Sequence, residues 1–196
     1  MSNNNNHSLG EAPWLHIVLS TGLGTGFIPF APGTAGAFLA LAIWIALYFI
    51  LSPICMLWVT IILIAGSFVV GVWTDNVMER YWGEDPRAVV IDEFFGTWIA
   101  VMAATLISEP DYLVIALAVI AFGLFRIIDI LKPFGCRWID DNIHGGLGCM
   151  LDDALAGFYA FILTMMRSDA VLPRVLSKDF RTSTRYWMSR PNAERT

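Results

Sequence analysis

No lysine or arginine occurs in the chain before Arg80, and charged residues of both signs fill only 15% of its 196 positions. Soluble domains carry about 25%, so a water-facing shell cannot be built from this sequence. Histidine and cysteine are sparse too, with three of each. Cys55, Cys136 and Cys149 show neither pairing nor zinc-type spacing, which excludes a disulfide framework. For Cys136 and Cys149 the expectation is small-residue packing. A net charge of −5 and the lack of a basic stripe interleaved with aromatics exclude nucleic-acid binding. The opening residues are Asn-rich with no basic stretch, so residues 1–13 read as a disordered leader and not a cleaved signal peptide. What the chain has in abundance is apolar: 57% hydrophobic residues and a mean hydropathy of +0.63. That composition is an integral membrane protein.

Residues 35–51 run without a charge and stop at Ser52-Pro53. Residues 54–73 form a second uncharged run, and the short break between them predicts an antiparallel hairpin. Two further spans are expected at 89–107 and 112–131. Residues 151–166 are short for a span, which wants roughly 20 residues. The earlier apolar stretch 14–30 is broken by Gly22, Gly24, Gly26 and Pro29, as a re-entrant or interfacial helix would be. The expected fold is all-α: a multi-pass membrane helical bundle of about four to five transmembrane helices plus that N-terminal element. Residues 14–166 form the membrane-embedded domain and 167–196 a basic C-terminal tail.

Basic residues set the orientation. Arg80 and Arg87 follow the second span, and Lys132 and Arg137 follow the fourth. The other connections have none, so the positive-inside rule puts residues 74–88 and 132–150 in the cytoplasm. The tail holds seven basic residues, from Arg167 to Arg195. Either the 151–166 helix does not cross, or the tail is an exception to the rule.

Against this background, acids inside apolar runs stand out: Asp92 and Glu93, Asp129, and Asp152 and Asp153. A carboxylate in hydrocarbon costs roughly 2.5–3.5 kcal/mol on insertion scales. All five are expected near the cytoplasmic ends of their helices. Arg126 and Lys132 flank Asp129 at three-residue spacing, which suits either ion pairing or phosphate binding. For Asp152 and Asp153 alone, a helix N-terminus following a Gly-rich loop would explain acids through the macrodipole. That account fails for Asp92 and Glu93, which lie beyond Val89-Val90-Ile91. Oxygen ligands suit magnesium, which is commonly held by few carboxylates plus substrate phosphate.

Two loops add candidates. His144 is a candidate general acid or phosphate donor, and Gly145 and Gly146 allow close backbone approach to a substrate. Gly33 and Thr34 open the first full span, with Thr34 as its expected N-cap. They form either a phosphate cradle or a close helix contact. Trp73, Trp82, Trp98 and Trp138 are expected in an aromatic belt.

Four blocks now read together: Phe-Ala-Pro-Gly-Thr-Ala-Gly at 30–36, Asp-Glu-Phe-Phe-Gly-Thr-Trp at 92–98, Phe-Arg-Ile-Ile-Asp-Ile-Leu-Lys-Pro at 125–133, and His-Gly-Gly-Leu-Gly-Cys-Met-Leu-Asp-Asp-Ala-Leu-Ala-Gly at 144–157. In this order and spacing they resemble the phosphatidylglycerophosphatase A family. The resemblance implies a magnesium-dependent enzyme of the bacterial inner membrane. Its reaction removes the phosphomonoester from phosphatidylglycerophosphate, at a site on the cytoplasmic face. On that reading Asp92, Glu93, Asp129, Asp152 and Asp153 ligate Mg2+. Arg126 and Lys132 hold the phosphoryl group. Gly33, Thr34, Gly145 and Gly146 line the substrate site, and Asp92, Asp129 and His144 serve catalysis. The partner is a phospholipid in the membrane. The rival class is an ion-coupled transporter, whose pathway acids would sit toward the midplane.

Overall fold

A computed structural model describes residues 12–83, 86–107, 110–133, 135–143 and 145–166. The chain divides into two compact units, Met1–Thr164 and Met165–Thr196, and the bundle below belongs to the first. Every regular element among the described residues is helical: α1 (Trp14–Ser20), a 3-10 turn (Thr25–Phe27), α2 (Pro32–Tyr48), α3 (Pro53–Trp82), α4 (Ile91–Thr105), α5 (Asp111–Leu131), α6 (Cys136–Asn142) and α7 (Gly146–Met166). Helices satisfy their own backbone hydrogen bonds, which lipid cannot do for them. α3, α5 and α7 are long and apolar enough to cross a membrane, and α2 is a shorter apolar helix. The protein is a helical membrane bundle.

Local sequence sets the boundaries. Pro32 and Pro53 sit in the first turns of α2 and α3, where a missing N–H does no harm. Lys132 closes α5 in the left-handed region at φ 42°, and Pro133 follows. Along α3 the apolar side chains of Ile54, Trp58, Ile62, Val69 and Trp73 are exposed, most of them at four-residue or similar spacing. An exposed apolar stripe on a helix of this length is a lipid-facing surface.

α4 is the centre of the bundle. It packs on α2, α3 and α5, and Glu93 through Trp98, Ala100, Val101, Ala103 and Ala104 are all buried. At 15 residues it is short for a span, but its neighbours cover it where lipid would otherwise be. Trp98 is a core residue and not part of a belt: it is buried and its indole N–H donates to Ala40 O at 3.2 Å. Trp44 is likewise buried, bonded to Thr60 Oγ1 at 3.1 Å. Trp73 and Trp138 are exposed, as interface residues are.

α7 packs on α4 backbone to backbone. A Cβ added at Gly157 would stand 2.5 Å from Gly96 O, so only glycine permits this approach. Gly157→Ala is therefore expected to lower the apparent melting temperature in detergent. Overpacking of this kind costs about 1–3 kcal/mol. An unchanged melting temperature would show that the helices separate without penalty.

Contacts fix which helix ends lie together. Tyr48 at the end of α2 donates to Asp111 at the start of α5, at 3.0 Å. At the other end, the starts of α2 and α4 meet the end of α5 through Thr34, Glu93 and Arg126. α1 is 7 residues long, about 10 Å at 1.5 Å per residue, and cannot cross. It packs on α3, and Ser20 O accepts from Val90 N at 2.8 Å. The N-terminal segment therefore lies at the same end as the starts of α2 and α4.

Three expectations change. α3 continues past Trp73 to Trp82, so residues 74–82 are helix and not loop. α7 starts at Gly146 and reaches 21 residues, enough to span. Its early start reverses the macrodipole argument. Asp92 and Glu93 fall in the first turn of α4, whereas Asp152 and Asp153 lie about two turns inside α7.

Candidate active site

Three helices deliver one carboxylate each to a common point. Oxygens of Glu93 (α4), Asp129 (α5) and Asp153 (α7) all lie within 4.8 Å of one another. Glu93 is 9% exposed and Asp153 4%. Arg126, one turn before Asp129 on α5, is the cation that pairs with two of them. Its Nη1 pairs with Glu93 Oε2 and lies 3.0 Å from Asp129 Oδ2. Its Nη2 donates to Thr34 Oγ1 at 3.4 Å. Three acids against one guanidinium leave an excess of negative charge in a low-dielectric setting, where each uncompensated ion costs several kcal/mol. Asp153 Oδ2 is buried and accepts no hydrogen bond among the described residues. The donor set is all oxygen, which suits a hard divalent cation.

The remaining acids make other contacts. Asp92 is anchored at both oxygens: Oδ1 accepts from the Glu93 N–H at 2.9 Å and Oδ2 from the Cys149 thiol at 2.8 Å. Cys149 is thus a polar partner of the site and not mere packing. Asp152 Oδ2 pairs with Lys132 Nζ at 2.8 Å. Cys136 is packed in the core but also lies beside a carboxylate, that of Asp152. It is fully buried, and burial, with the neighbouring Asp152 charge, pushes its thiol up to about 11. It carries no thiolate at neutral pH.

The glycine and threonine positions take definite places. Thr34 is not the N-cap of α2; the helix begins at Pro32, with Ala31 in the left-handed region ahead of it. Thr34 instead accepts from Arg126. Gly33 lies against the Glu93 carboxylate, and any side chain there would collide with it. Gly146 gives its N–H to Asn76 Oδ1 at 3.2 Å and packs against Val72 O and Asp75 of α3. Gly145 turns the chain at φ 78°. His144 lies outside the described residues.

A cleft of about 700 Å³ reaches this cluster at Glu93. It is lined by residues 26–29, 31–33 and 87–89 together with Asp92 and Glu93. Two features went unremarked in the sequence. Arg87, in sequence a marker of orientation, lines the cleft. Asp75 is buried on α3 beside Gly146. Asp75, Asn76 and Glu79 sit at i, i+1 and i+4, which carries one helical face past Trp73 and could have signalled that α3 continues.

The family model for phosphatidylglycerophosphatase A matches residues 18–168, which include every helix from α2 to α7 and every acid of the site. The chain belongs to the phosphatidylglycerophosphatase A family. Relatives agree in part on the details. A protein of Bacteroides thetaiotaomicron, provisionally named a phosphatidylinositol-3-phosphatase, is 50% identical over 150 residues, covering 76% of this chain and 91% of the relative. Phosphatidylglycerophosphatase A of Escherichia coli K12 is 36% identical, over 74% of this chain and 77% of the relative. That of Haemophilus influenzae is 34% identical, over 74% and 84%. No solved structure matches the chain.

Proposed function

We propose that this protein is a magnesium-dependent lipid phosphatase that hydrolyses phosphatidylglycerophosphate to phosphatidylglycerol and phosphate. The reaction takes place at the cytoplasmic face of a bacterial inner membrane. The observation that carries the reading is the meeting of Glu93, Asp129 and Asp153 beside Arg126 at one end of a membrane bundle. Their position at that end suits a phosphate headgroup whose acyl chains stay in lipid. An ion pathway would place its acids toward the midplane. Family membership supports the phosphomonoester as the bond broken.

Each residue has an assigned part. Glu93, Asp129 and Asp153 would hold the magnesium ion, with Asp92 and Asp152 close by. A bound divalent ion would supply charge neutralisation and a more acidic water. Arg126 holds the acids with Nη1, leaving Nε, buried and without an acceptor among the described residues, to bind a phosphoryl oxygen. Lys132, kept in place by Asp152, adds a second cation. Water attacks phosphorus, the bond to the glycerol oxygen breaks, and that oxygen leaves with a proton assigned to His144. Direct attack by an aspartate is the competing route. Acid quenching during turnover would then leave labelled phosphate on the protein.

One finding favours a second substrate, phosphatidylinositol 3-phosphate: the name carried by the Bacteroides relative. Both substrates are phosphomonoesters on a phospholipid headgroup. The test is phosphate release by purified protein in non-ionic micelles from phosphatidylglycerophosphate, phosphatidylinositol 3-phosphate and phosphatidic acid, with magnesium or with EDTA. Release from phosphatidylglycerophosphate is expected to be fastest and to vanish in EDTA. No release from any lipid would overturn the assignment, and a preference for the inositide would move it to the second substrate.

A further inference from the structure

Arg87 has no part in the chemistry above, yet it lines the cleft that contains Asp92 and Glu93. It is exposed and pairs with no acid among the described residues. A cation that lines a cleft and pairs with no acid among the described residues is a binding element for an anion. The reacting phosphate already has cations of its own in Arg126 and Lys132, which are held by Glu93, Asp129 and Asp152. Arg87 is therefore placed for a second anionic group on the same substrate.

The candidate substrates supply one. Phosphatidylglycerophosphate and phosphatidylinositol 3-phosphate each carry a phosphodiester to the diacylglycerol as well as the phosphomonoester. Phosphatidic acid carries the monoester alone. The rest of the cleft lining also suits a lipid. Phe27 and Ile28 line the cleft and are about half exposed, and Phe30, next to its wall, is 87% exposed. Apolar side chains at a membrane interface give acyl chains a surface to lie on where they leave the headgroup.

We infer that Arg87 binds the phosphodiester of the substrate lipid, and so sets the preference for headgroups that carry two phosphates. The inference rests on the lipid-phosphatase reading. Guanidinium meets phosphate oxygens through paired N–H donors, which lysine only partly replaces.

The test is kinetic and uses the full chain in non-ionic micelles with phosphatidylglycerophosphate. Arg87→Ala is expected to raise KM about tenfold, the loss that goes with one charge-assisted hydrogen bond, while kcat stays within about twofold. Inhibition by the product phosphatidylglycerol, which keeps only the diester, should weaken by a similar factor. Inhibition by inorganic phosphate, which addresses the monoester subsite, should not change. Arg87→Lys should recover part of the lost affinity. An unchanged KM would overturn the proposal. So would phosphate inhibition weakening in step with KM, because that places Arg87 at the reacting phosphate. A wild-type protein inactive on every lipid would remove the phosphatase reading itself. An active wild type with an indifferent Arg87→Ala variant removes only the diester contact.

Discussion

Asp153→Asn is expected to lower kcat for phosphatidylglycerophosphate by about a thousandfold, the scale seen when one preorganised electrostatic group is removed from an active site. Asparagine keeps the shape, so the loss is one of charge. The three acids from α4, α5 and α7 share one point with a single guanidinium. Without a cation, the third carboxylate has nothing to offset its burial. Removing its charge should therefore make the protein more stable in EDTA even as it ends activity. The two effects are read together: the apparent melting temperature in EDTA rises in the variant, and the rise that magnesium gives the wild type by binding the folded state is lost. Retained activity in Asp153→Asn would remove this residue from the proposed metal site. A variant less stable than the wild type in EDTA would mean that Asp153 serves the fold, with no role as a ligand awaiting an ion.

How much of this site was legible beforehand depended on what kind of signal each residue sends. Asp92, Glu93, Asp129, Asp152 and Asp153 were legible because a carboxylate in an apolar run conflicts with its surroundings. Which three of them meet was not, because that depends on how α4, α5 and α7 pack. Adjacent acids on one helix point about 100° apart, so Glu93 faces Arg126 while Asp92 faces Cys149. Asp153 and Asp152 divide in the same way, one to the cluster and one to Lys132. The start of α7 is hidden in the sequence because glycines at 145, 146 and 148 look like loop. In a bundle, a small residue such as Gly146 also lets a helix lie against the backbone of its neighbour α3. Trp98 reads in sequence as a belt residue because an indole suits an interface as well as it suits a core with one free carbonyl, here that of Ala40. Arg87 was counted as a topology marker. Only the cleft brings it together with Asp92 and Glu93.

Arg126→Met should be the most damaging single change to the fold. The side chain is largely buried and touches Glu93, Asp129 and Thr34 at once. Taking one partner out of a buried ion pair costs about 3–5 kcal/mol, because the opposite charge stays buried without compensation. Here two carboxylates lose their partner together, so a large fall in apparent melting temperature in EDTA is expected. Magnesium should return part of it, since the freed acids remain ligands. Activity should not return, because the guanidinium that would meet the phosphoryl oxygens is gone. Glu93→Gln added to Arg126→Met separates the two roles. Removing the stranded charge should restore much of the stability while the enzyme stays inactive, as buried pairs replaced whole are often near neutral. Arg126→Lys tests the geometry further: the charge survives but the planar fork does not, so stability should be largely kept and kcat reduced by about a hundredfold. If Arg126→Met melts with the wild type in EDTA, the guanidinium does not neutralise the cluster, and the acids must be held by protons in place of Arg126.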